Sequence, residues 1–189
     1  LSGTGIPDMG DILLMPMTGE PKFEPGSKEN PDEGYRSRFS KHNEHAKPGY
    51  YSVTLDDYLV DVELTATKRV GFHRYTFTNP ENNSGWIIID LGHGLSDKSL
   101  FNQIEISADN VVSGYRHSTG FVKNQHVFFT AEFSKPFKSF ITWTDGEIGN
   151  ENKTEGTVCK LVLNFDVNPN EEILVKVGIS NVDDAGATN

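Results

Sequence analysis

The stretch Leu59-Val-Asp-Val-Glu-Leu-Thr-Ala-Thr67 decides the fold class, because apolar and polar residues alternate along it. One face of this stretch carries Val60, Val62, Leu64 and Ala66, and the other carries Asp61, Glu63, Thr65 and Thr67. Alternation with a period of two is typical of a β-strand that buries one side and exposes the other. We therefore predict a half-buried strand here.

The same pattern recurs along most of the chain. Clear alternation covers Val127–Phe133, Cys159–Val167 and Ile173–Ile179, and weaker strand candidates are Tyr51–Leu55, Val70–Phe77, Gln103–Ser107 and Phe140–Thr144. The run Trp86–Leu91 is apolar almost throughout, which predicts a strand that is covered on both faces. Val and Ile together outnumber Leu and Ala together, a composition that favours strands over helices.

Turn-forming residues separate these candidate strands. Asn79–Gly85 is rich in Asn, Asp145 is followed by Gly146, and Asn168–Asn170 contains a proline. Such residues tolerate left-handed backbone angles or end a strand. Turn signals about every ten residues, with no convincing helical stretch, predict an all-β fold, an antiparallel β-sandwich.

Size and charge exclude several classes of protein. The chain has 189 residues, which suits one domain, and a formal net charge of −10, which disfavours nucleic acid as a partner. No apolar run approaches the roughly 20 residues that span a bilayer. The lone cysteine, Cys159, excludes an internal disulfide and a multi-cysteine zinc site. Because no leader precedes Leu1, we expect a mature product or an excised piece.

Two segments depart from the strand pattern. Residues 20–43 are rich in proline, glycine and charge, and we predict a long surface loop, of the kind that is usually functional or mobile. Residues 183–189 have the composition of a linker. We therefore expect one domain over residues 1–182, followed by the start of a linker.

Acidic residues offer no convincing catalytic pair. A glycoside hydrolase needs two carboxylates that flank the scissile bond, and the neighbouring candidates are Asp8 with Asp11, Asp56 with Asp57, and Asp183 with Asp184. Adjacent carboxylates on a strand point to opposite faces. We interpret all of these as solvated surface acids and predict no catalytic residue in this chain.

Metal-binding and nucleophilic motifs are equally weak. His42 and His45 lack the helical His-Glu-x-x-His pattern of a zinc protease. The acidic segment Asp145–Asn152 lacks the spacing of a calcium loop, and we predict a solvated hairpin tip there. Cys159 shares a face with Leu161 and Leu163, which favours a buried, inert thiol. We therefore predict no metal site in this chain.

The first sixteen residues, Leu1–Pro16, resemble a signature of glycoside hydrolase family 92, the exo-acting α-mannosidases. The resemblance continues, in the same order along the chain, through Gly34–Ser40, Pro48–Tyr58, Glu63–Phe77, Phe133–Phe137 and Val175–Ser180. Because these blocks cover almost the whole chain, the family assignment rests on their combination.

The resemblance implies a supersandwich-like N-terminal β-sandwich joined to a C-terminal (α/α)₆ catalytic barrel, which this chain lacks. Members of the family are calcium-dependent, inverting enzymes that remove terminal mannose, most often α-1,2-linked, from glycans. Their catalytic carboxylates and calcium ligands belong mainly to the barrel. The resemblance also implies a bacterial protein that is secreted, periplasmic or at the cell surface.

Two departures from the family pattern affect the expected site. Family members usually carry a His directly before the signature and more sandwich sequence upstream, so we expect a sandwich truncated at its N-terminus with an exposed edge. Many relatives have Gly-Trp where this chain has Gly120-Phe121. The residues implied at the pocket rim or domain interface are Ser2, Gly3, Thr4 and Gly5, together with Arg36 and Arg38, which would pair with the barrel or the sugar or remain surface cations.

The leading hypothesis is therefore a non-catalytic N-terminal domain that supports the barrel of an α-mannosidase and lends loops to the rim of its active site. The alternative is a free-standing carbohydrate-binding module, which would present exposed aromatic side chains on one sheet face. The sequence pattern places Trp86 and Trp143 on buried faces, which disfavours that alternative.

Overall fold

A computed structural model describes residues 10–27 and 29–188, and within them the chain folds into two antiparallel β-sheets. Strands are numbered in chain order. The five-stranded sheet consists, from edge to edge, of β1 (Leu13–Met17), β6 (Ser84–Asp90), β13 (Cys159–Asp166), β10 (Ser139–Thr144) and β11 (Glu147–Gly149). The nine-stranded sheet consists of β12 (Lys153–Gly156), β7 (Lys98–Ala108), β8 (Val111–Thr119), β9 (Gln125–Phe133), β14 (Glu171–Ser180), β5 (Val70–Phe77), β4 (Val60–Ala66), β3 (Tyr50–Leu55) and β2 (His45–Lys47).

The predicted β-sandwich is confirmed. Every segment predicted from alternation forms a strand, and β5 has the predicted bounds. The strands that were not predicted are β1, β2, β8, β11 and β12. Strand β8 escapes a search for apolar alternation because its buried positions include Gly114, Arg116 and Ser118.

The predicted turns adopt the left-handed backbone angles that their residues favour. Asp145 and Gly146 have φ values of 49° and 106° and join β10 to β11 in a tight hairpin. Asn82 and Asn83, with φ values of 52° and 54°, occupy a 3₁₀ turn at Glu81–Asn83. Two further 3₁₀ turns, Pro31–Glu33 and Lys41–Asn43, are the only helical turns between β1 and β2 in the described residues.

Strands β6 and β13 of the five-stranded sheet are buried on both faces, as the run Trp86–Leu91 predicts. Ile87 and Ile89 alternate with Ile88, and all three are fully buried in one apolar cluster. The cluster also takes in Phe23 and Tyr35 from the segment between β1 and β2. The predicted surface loop therefore packs against the sandwich, since its apolar side chains become part of the core. Trp86 and Trp143 are half-buried rather than fully buried.

A short helix, α1 (Asp184–Thr188), lies on the outer face of the nine-stranded sheet where a linker was predicted. Ala187 is buried, and its carbonyl oxygen lies 2.1 Å from the position that a Cβ of residue 178 would occupy. Only a glycine at position 178 permits this approach. In the described part of the chain, no helix has the length and apolar character needed to cross a membrane.

Candidate functional site

A buried arginine occupies the end of the sandwich at which β8 finishes. The side chain of Arg116 is fully buried, and its Nε donates to the carbonyl oxygen of Leu91 at 2.8 Å. Its Nη1 donates to Asp11 Oδ1 at 2.6 Å, and its Nη2 donates to the carbonyl oxygen of His93 at 3.0 Å. Nη2 also lies 2.6 Å from Asp97 Oδ2. One guanidinium therefore joins β8, the segment before β1 and the loop after β6. We call this group of residues the Arg116 site.

Both carboxylates of the Arg116 site are compensated by this cation. Burial alone would raise the pKa of Asp97, but the hydrogen bond and the positive charge of Arg116 outweigh burial and hold that pKa below its usual range. Asp11 accepts a second hydrogen bond, from Gln125 Nε2, at 2.7 Å. A general acid needs a carboxyl that keeps its proton near neutral pH. Asp97 is therefore built to stay ionised, and both carboxylates anchor loops.

At this end of the sandwich, the loop between β6 and β7 packs closely against the loop between β8 and β9. Asp90 Oδ1 accepts hydrogen bonds from the backbone N–H groups of Gly92 at 2.8 Å and His93 at 3.2 Å. A Cβ at position 120 would lie 2.8 Å from the Cβ of Asp97, so the loop between β8 and β9 needs Gly120 to approach. These contacts fix the direction in which the next residue, Phe121, leaves the sandwich.

The same end exposes apolar side chains to solvent. Phe121 is 72% exposed, Leu95 is 45% exposed and Val122 is 37% exposed. Single exposed apolar residues are ordinary, but several on neighbouring loops are typical of a surface that another protein or domain covers. We call Leu95, Phe121 and Val122 the apolar end.

The residues implied by the family resemblance fall in two places. Ser2, Gly3, Thr4 and Gly5 lie outside the described residues, although Asp11, which follows them closely in sequence, belongs to the Arg116 site. Arg38 is exposed and donates from Nε to Asp57 Oδ1 at 2.9 Å and from Nη2 to Asp32 at 2.8 Å. Arg36 is also exposed. The structure places neither arginine in the Arg116 site, and their roles stay predictions.

One of the candidate acids was misjudged from sequence. Asp11 was interpreted as a solvated surface acid, but its side chain is only 11% exposed and is paired with Arg116. Asp57, by contrast, is a surface acid bound by Arg38, and Asp183 Oδ1 accepts from the backbone N–H of Gly186. The signal that was missed is Arg116 itself, whose charge at an inward strand position demands a buried acidic partner.

A second buried cation lies on the opposite side of the five-stranded sheet. Lys160 Nζ donates to the carbonyl oxygen of Phe23 at 2.8 Å and to Glu24 Oε1 at 3.0 Å. It lies 3.7 Å from Asp90 Oδ2 and 4.4 Å from the centre of the Trp143 ring. These contacts attach the segment between β1 and β2 to the sheet. We call them the Lys160 site.

Tyr35 completes the Lys160 site from the same segment. Its hydroxyl donates to Asp90 Oδ2 at 2.9 Å. Burial first, and then the charge of Asp90, raise the pKa of this phenol well above its usual range. Tyr35 is therefore a permanent hydrogen-bond donor to Asp90.

Two further titratable side chains, Cys159 and His73, have pKa values that burial shifts. Cys159 is buried, as predicted, and burial raises the pKa of its thiol to about 12, which disfavours a nucleophilic role. Burial lowers the pKa of His73 to about 4, and its Nδ1 lies 2.7 Å from the hydroxyl of Tyr75. Among the described residues, no cluster of three or more His, Cys, Asp or Glu side chains is placed to hold a metal ion. The buried carboxylates of the Arg116 site face a guanidinium, so their arrangement does not fit calcium.

Comparison with known proteins settles the family. Residues 1–180 match the model of the glycosyl hydrolase family 92 N-terminal domain. The chain is a family 92 N-terminal domain. A search of curated proteins found no match.

Solved structures of family 92 enzymes share the fold of this N-terminal domain. The GH92 alpha-mannosidase BT3965 from Bacteroides thetaiotaomicron is 39% identical with a TM-score of 0.93, over 100% of this chain and 26% of that chain. The GH92 glycosyl hydrolase ccman5 is 25% identical with a TM-score of 0.78, over 96% of this chain and 25% of that one. The family 92 domain thus spans about a quarter of the length of these relatives. Nothing in these matches supports a free-standing carbohydrate-binding module.

Proposed function

We propose that this family 92 domain is the non-catalytic N-terminal part of an α-mannosidase that removes terminal mannose from glycans. The observation that carries the proposal is the match to the alpha-mannosidase BT3965, which extends over all of this chain but only 26% of that enzyme. The reaction would then belong to the remainder of the parent protein, for which we propose a C-terminal (α/α)₆ barrel.

The geometry of the domain supports a non-catalytic role. Inversion at a sugar carbon requires an acid and a base roughly 6.5–9.5 Å apart, with room for a water molecule. Arg116 compensates the charge of both carboxylates of the Arg116 site, and it holds the pKa of Asp97 below its usual range. We propose that the calcium ion typical of the family is bound by the barrel.

The apolar end is the surface that we assign to contact with the barrel. It is built on loops that the Arg116 site holds in place, and it exposes Phe121 more than any other residue of that end. Arg36 and Arg38 would lie at the rim of the active site or remain surface cations. The signature residues Ser2, Gly3, Thr4 and Gly5 would lie near the interface with the barrel. The parent protein would be bacterial and located in the periplasm, at the cell surface or outside the cell.

The direct test is an assay of the isolated chain. Purified with calcium and incubated with α-1,2-mannobiose, the chain should release no mannose, and release of mannose by this chain alone would overturn the non-catalytic assignment. The remainder of the parent protein, added in trans, should gain turnover or stability only when this chain is present.

A matched pair of variants tests the assignment of the apolar end. Phe121→Ser should weaken the association of the two parts, because it removes the most exposed apolar side chain of that end. Lys123→Ser, on the same exposed loop, should leave the association unchanged. Equal behaviour of the two variants would contradict the assignment.

A further inference from the structure

A two-part groove lies on the outer face of β3, β4 and β5. The first part has a volume of about 310 Å³, and its lining includes Thr54, Asp61 and Thr76. The second part has a volume of about 240 Å³, and its lining includes Phe72 and Leu174. Tyr50 and Glu63 line both parts and so mark their boundary. We call this feature the Tyr50 groove.

The Tyr50 groove is separate from the Arg116 site. In the order of the nine-stranded sheet, β3 lies five strand intervals from β8, which carries Arg116. At the usual strand spacing, this corresponds to roughly 24 Å along the sheet. The groove also opens on the outer face of the sheet, whereas the side chain of Arg116 points into the sandwich.

The polar side chains of the groove are held in position by hydrogen bonds within the protein. Tyr50 donates from its hydroxyl to Glu63 Oε1 at 2.6 Å, and Arg74 donates from Nε to Glu63 Oε2 at 2.5 Å. Thr54 Oγ1 donates to Asp61 Oδ1 at 2.6 Å. Because these groups are already ordered, a ligand would not have to pay for fixing them.

The chemistry of the groove matches a polyhydroxylated ligand. A sugar hydroxyl both donates and accepts hydrogen bonds, and the groove offers carboxylate acceptors beside the guanidinium donors of Arg74. The hydrogen bond from Tyr50, and then that from Arg74, lower the pKa of Glu63, which therefore stays an acceptor at neutral pH. Aromatic rings such as those of Tyr50 and Phe72 pack against the C–H faces of sugar rings.

Charge further narrows the class of ligand. The chain carries a net charge of −10, and Asp61 lines the groove, so an anionic ligand is disfavoured. The charge of Glu63 is compensated by Arg74, so this carboxylate does not require a cationic ligand. We propose that the Tyr50 groove is a non-catalytic binding site for neutral oligosaccharides. Only the choice of a mannose oligosaccharide as the first sugar to be tested rests on the proposed function.

The test is a titration of the isolated ¹⁵N-labelled chain with millimolar α-1,2-mannotriose and, separately, maltotriose, followed by amide chemical shifts. Shifts confined to residues 50–54, 61–65 and 72–76 with mannotriose would support the groove and the choice of mannose. Such shifts with maltotriose alone would support the groove and count against mannose. No shifts with either sugar, or shifts centred elsewhere, would overturn the proposal.

Variants of Tyr50 and Glu63 test whether these side chains bind the sugar. Tyr50→Ala should weaken binding about tenfold through loss of the ring and of its hydrogen bond. Glu63→Gln keeps the shape of the side chain and should weaken binding about threefold or more. Phe101→Ala is the control, because Phe101 lies on the outer face of β7 and is 38% exposed. If Phe101→Ala weakens binding while Tyr50→Ala and Glu63→Gln, folded by circular dichroism, do not, the groove is the wrong site.

Discussion

The Arg116 site and the Lys160 site are two solutions to the same problem, which is how to attach loops to a sandwich through a buried cation. Arg116 is fully buried, and its acidic partners, Asp11 and Asp97, are 11% and 2% exposed. Lys160 is 4% exposed, but its acidic partner Glu24 is 61% exposed. The first site is closed to water, whereas the second keeps one charge in solvent.

This difference decides how much each site depends on its cation. A buried carboxylate that loses its partner has no water to replace it, so breaking such a pair costs far more than breaking a solvated one. Asp90, the buried acid near Lys160, keeps hydrogen bonds from Tyr35 and from the backbone of Gly92. The Lys160 site is therefore expected to tolerate the loss of its cation better than the Arg116 site.

The largest effect is expected for Arg116→Met. This variant removes the counter-charge that Arg116 gives to Asp11 and Asp97, and we expect a loss of about 3–5 kcal/mol in the free energy of unfolding. Urea denaturation measures this change. Arg38→Met removes two surface ion pairs and should cost less than about 1 kcal/mol, so similar losses in the two variants would contradict the role given to burial.

Lys160→Met should cost about 2 kcal/mol, which is less than Arg116→Met. The methionine keeps an apolar stem on the face of Trp143, and Glu24 returns to water. Because the ammonium group no longer lies over the ring, the emission of Trp143 should change in the folded state. A cost equal to that of Arg116→Met would break the comparison between the two sites.

His73 gives a third case, which depends on pH: a half-buried imidazole that desolvation keeps neutral. Its pKa is about 4 in the folded chain and about 6.5 in the unfolded chain, so the unfolded chain binds the proton first as pH falls. Stability should therefore decrease between pH 6.5 and pH 4, by about 2 kcal/mol from pH 7.5 to pH 5. Chemical denaturation at the two pH values measures this loss.

His73→Gln is the control for this pH dependence. The variant has no group that titrates at that position, so most of the loss between pH 7.5 and pH 5 should disappear. An unchanged pH dependence would show that other groups cause it. Carboxylates with lowered pKa values, such as Asp97, titrate at lower pH and therefore do not contribute to the loss of stability between pH 7.5 and pH 5.

The smallest change in the free energy of unfolding is expected at the apolar end, on the loops next to the Arg116 site. Phe121→Ser should change the free energy of unfolding by less than about 0.5 kcal/mol, because the ring is 72% exposed and leaves the core intact. Thermal unfolding of the isolated chain measures this change. A loss of several degrees would mean that the apolar end belongs to the core of the domain rather than to a surface for a partner.

The contrast between β4 and β8 explains how much of this molecule could be predicted from sequence. Strand β4 alternates apolar and polar residues because its buried face is purely apolar, so its position follows from the pattern alone. Strand β8 buries Gly114, Arg116 and Ser118, so most of its inward face does not read as apolar. The strand that builds the candidate site is therefore one that alternation cannot find.

The partners of Arg116 were also beyond prediction. Asp11 is 105 residues away in sequence, and Asp97 stands in a loop without a motif. Pairing over such distances depends on the three-dimensional packing of three segments. The fold could thus be predicted from local pattern and family resemblance, whereas the contacts of the site could not.

The reach of the Arg116 guanidinium has a consequence for the dynamics of this end of the domain. Its partners come from residue 11 and from residues 91–97, and Arg116 itself belongs to β8, so none of these three segments can open without breaking bonds to the same group. Local opening of a protein proceeds in cooperative units. Hydrogen exchange of the amides in these three segments should therefore give one common free energy of opening, as expected for parts of a single unit.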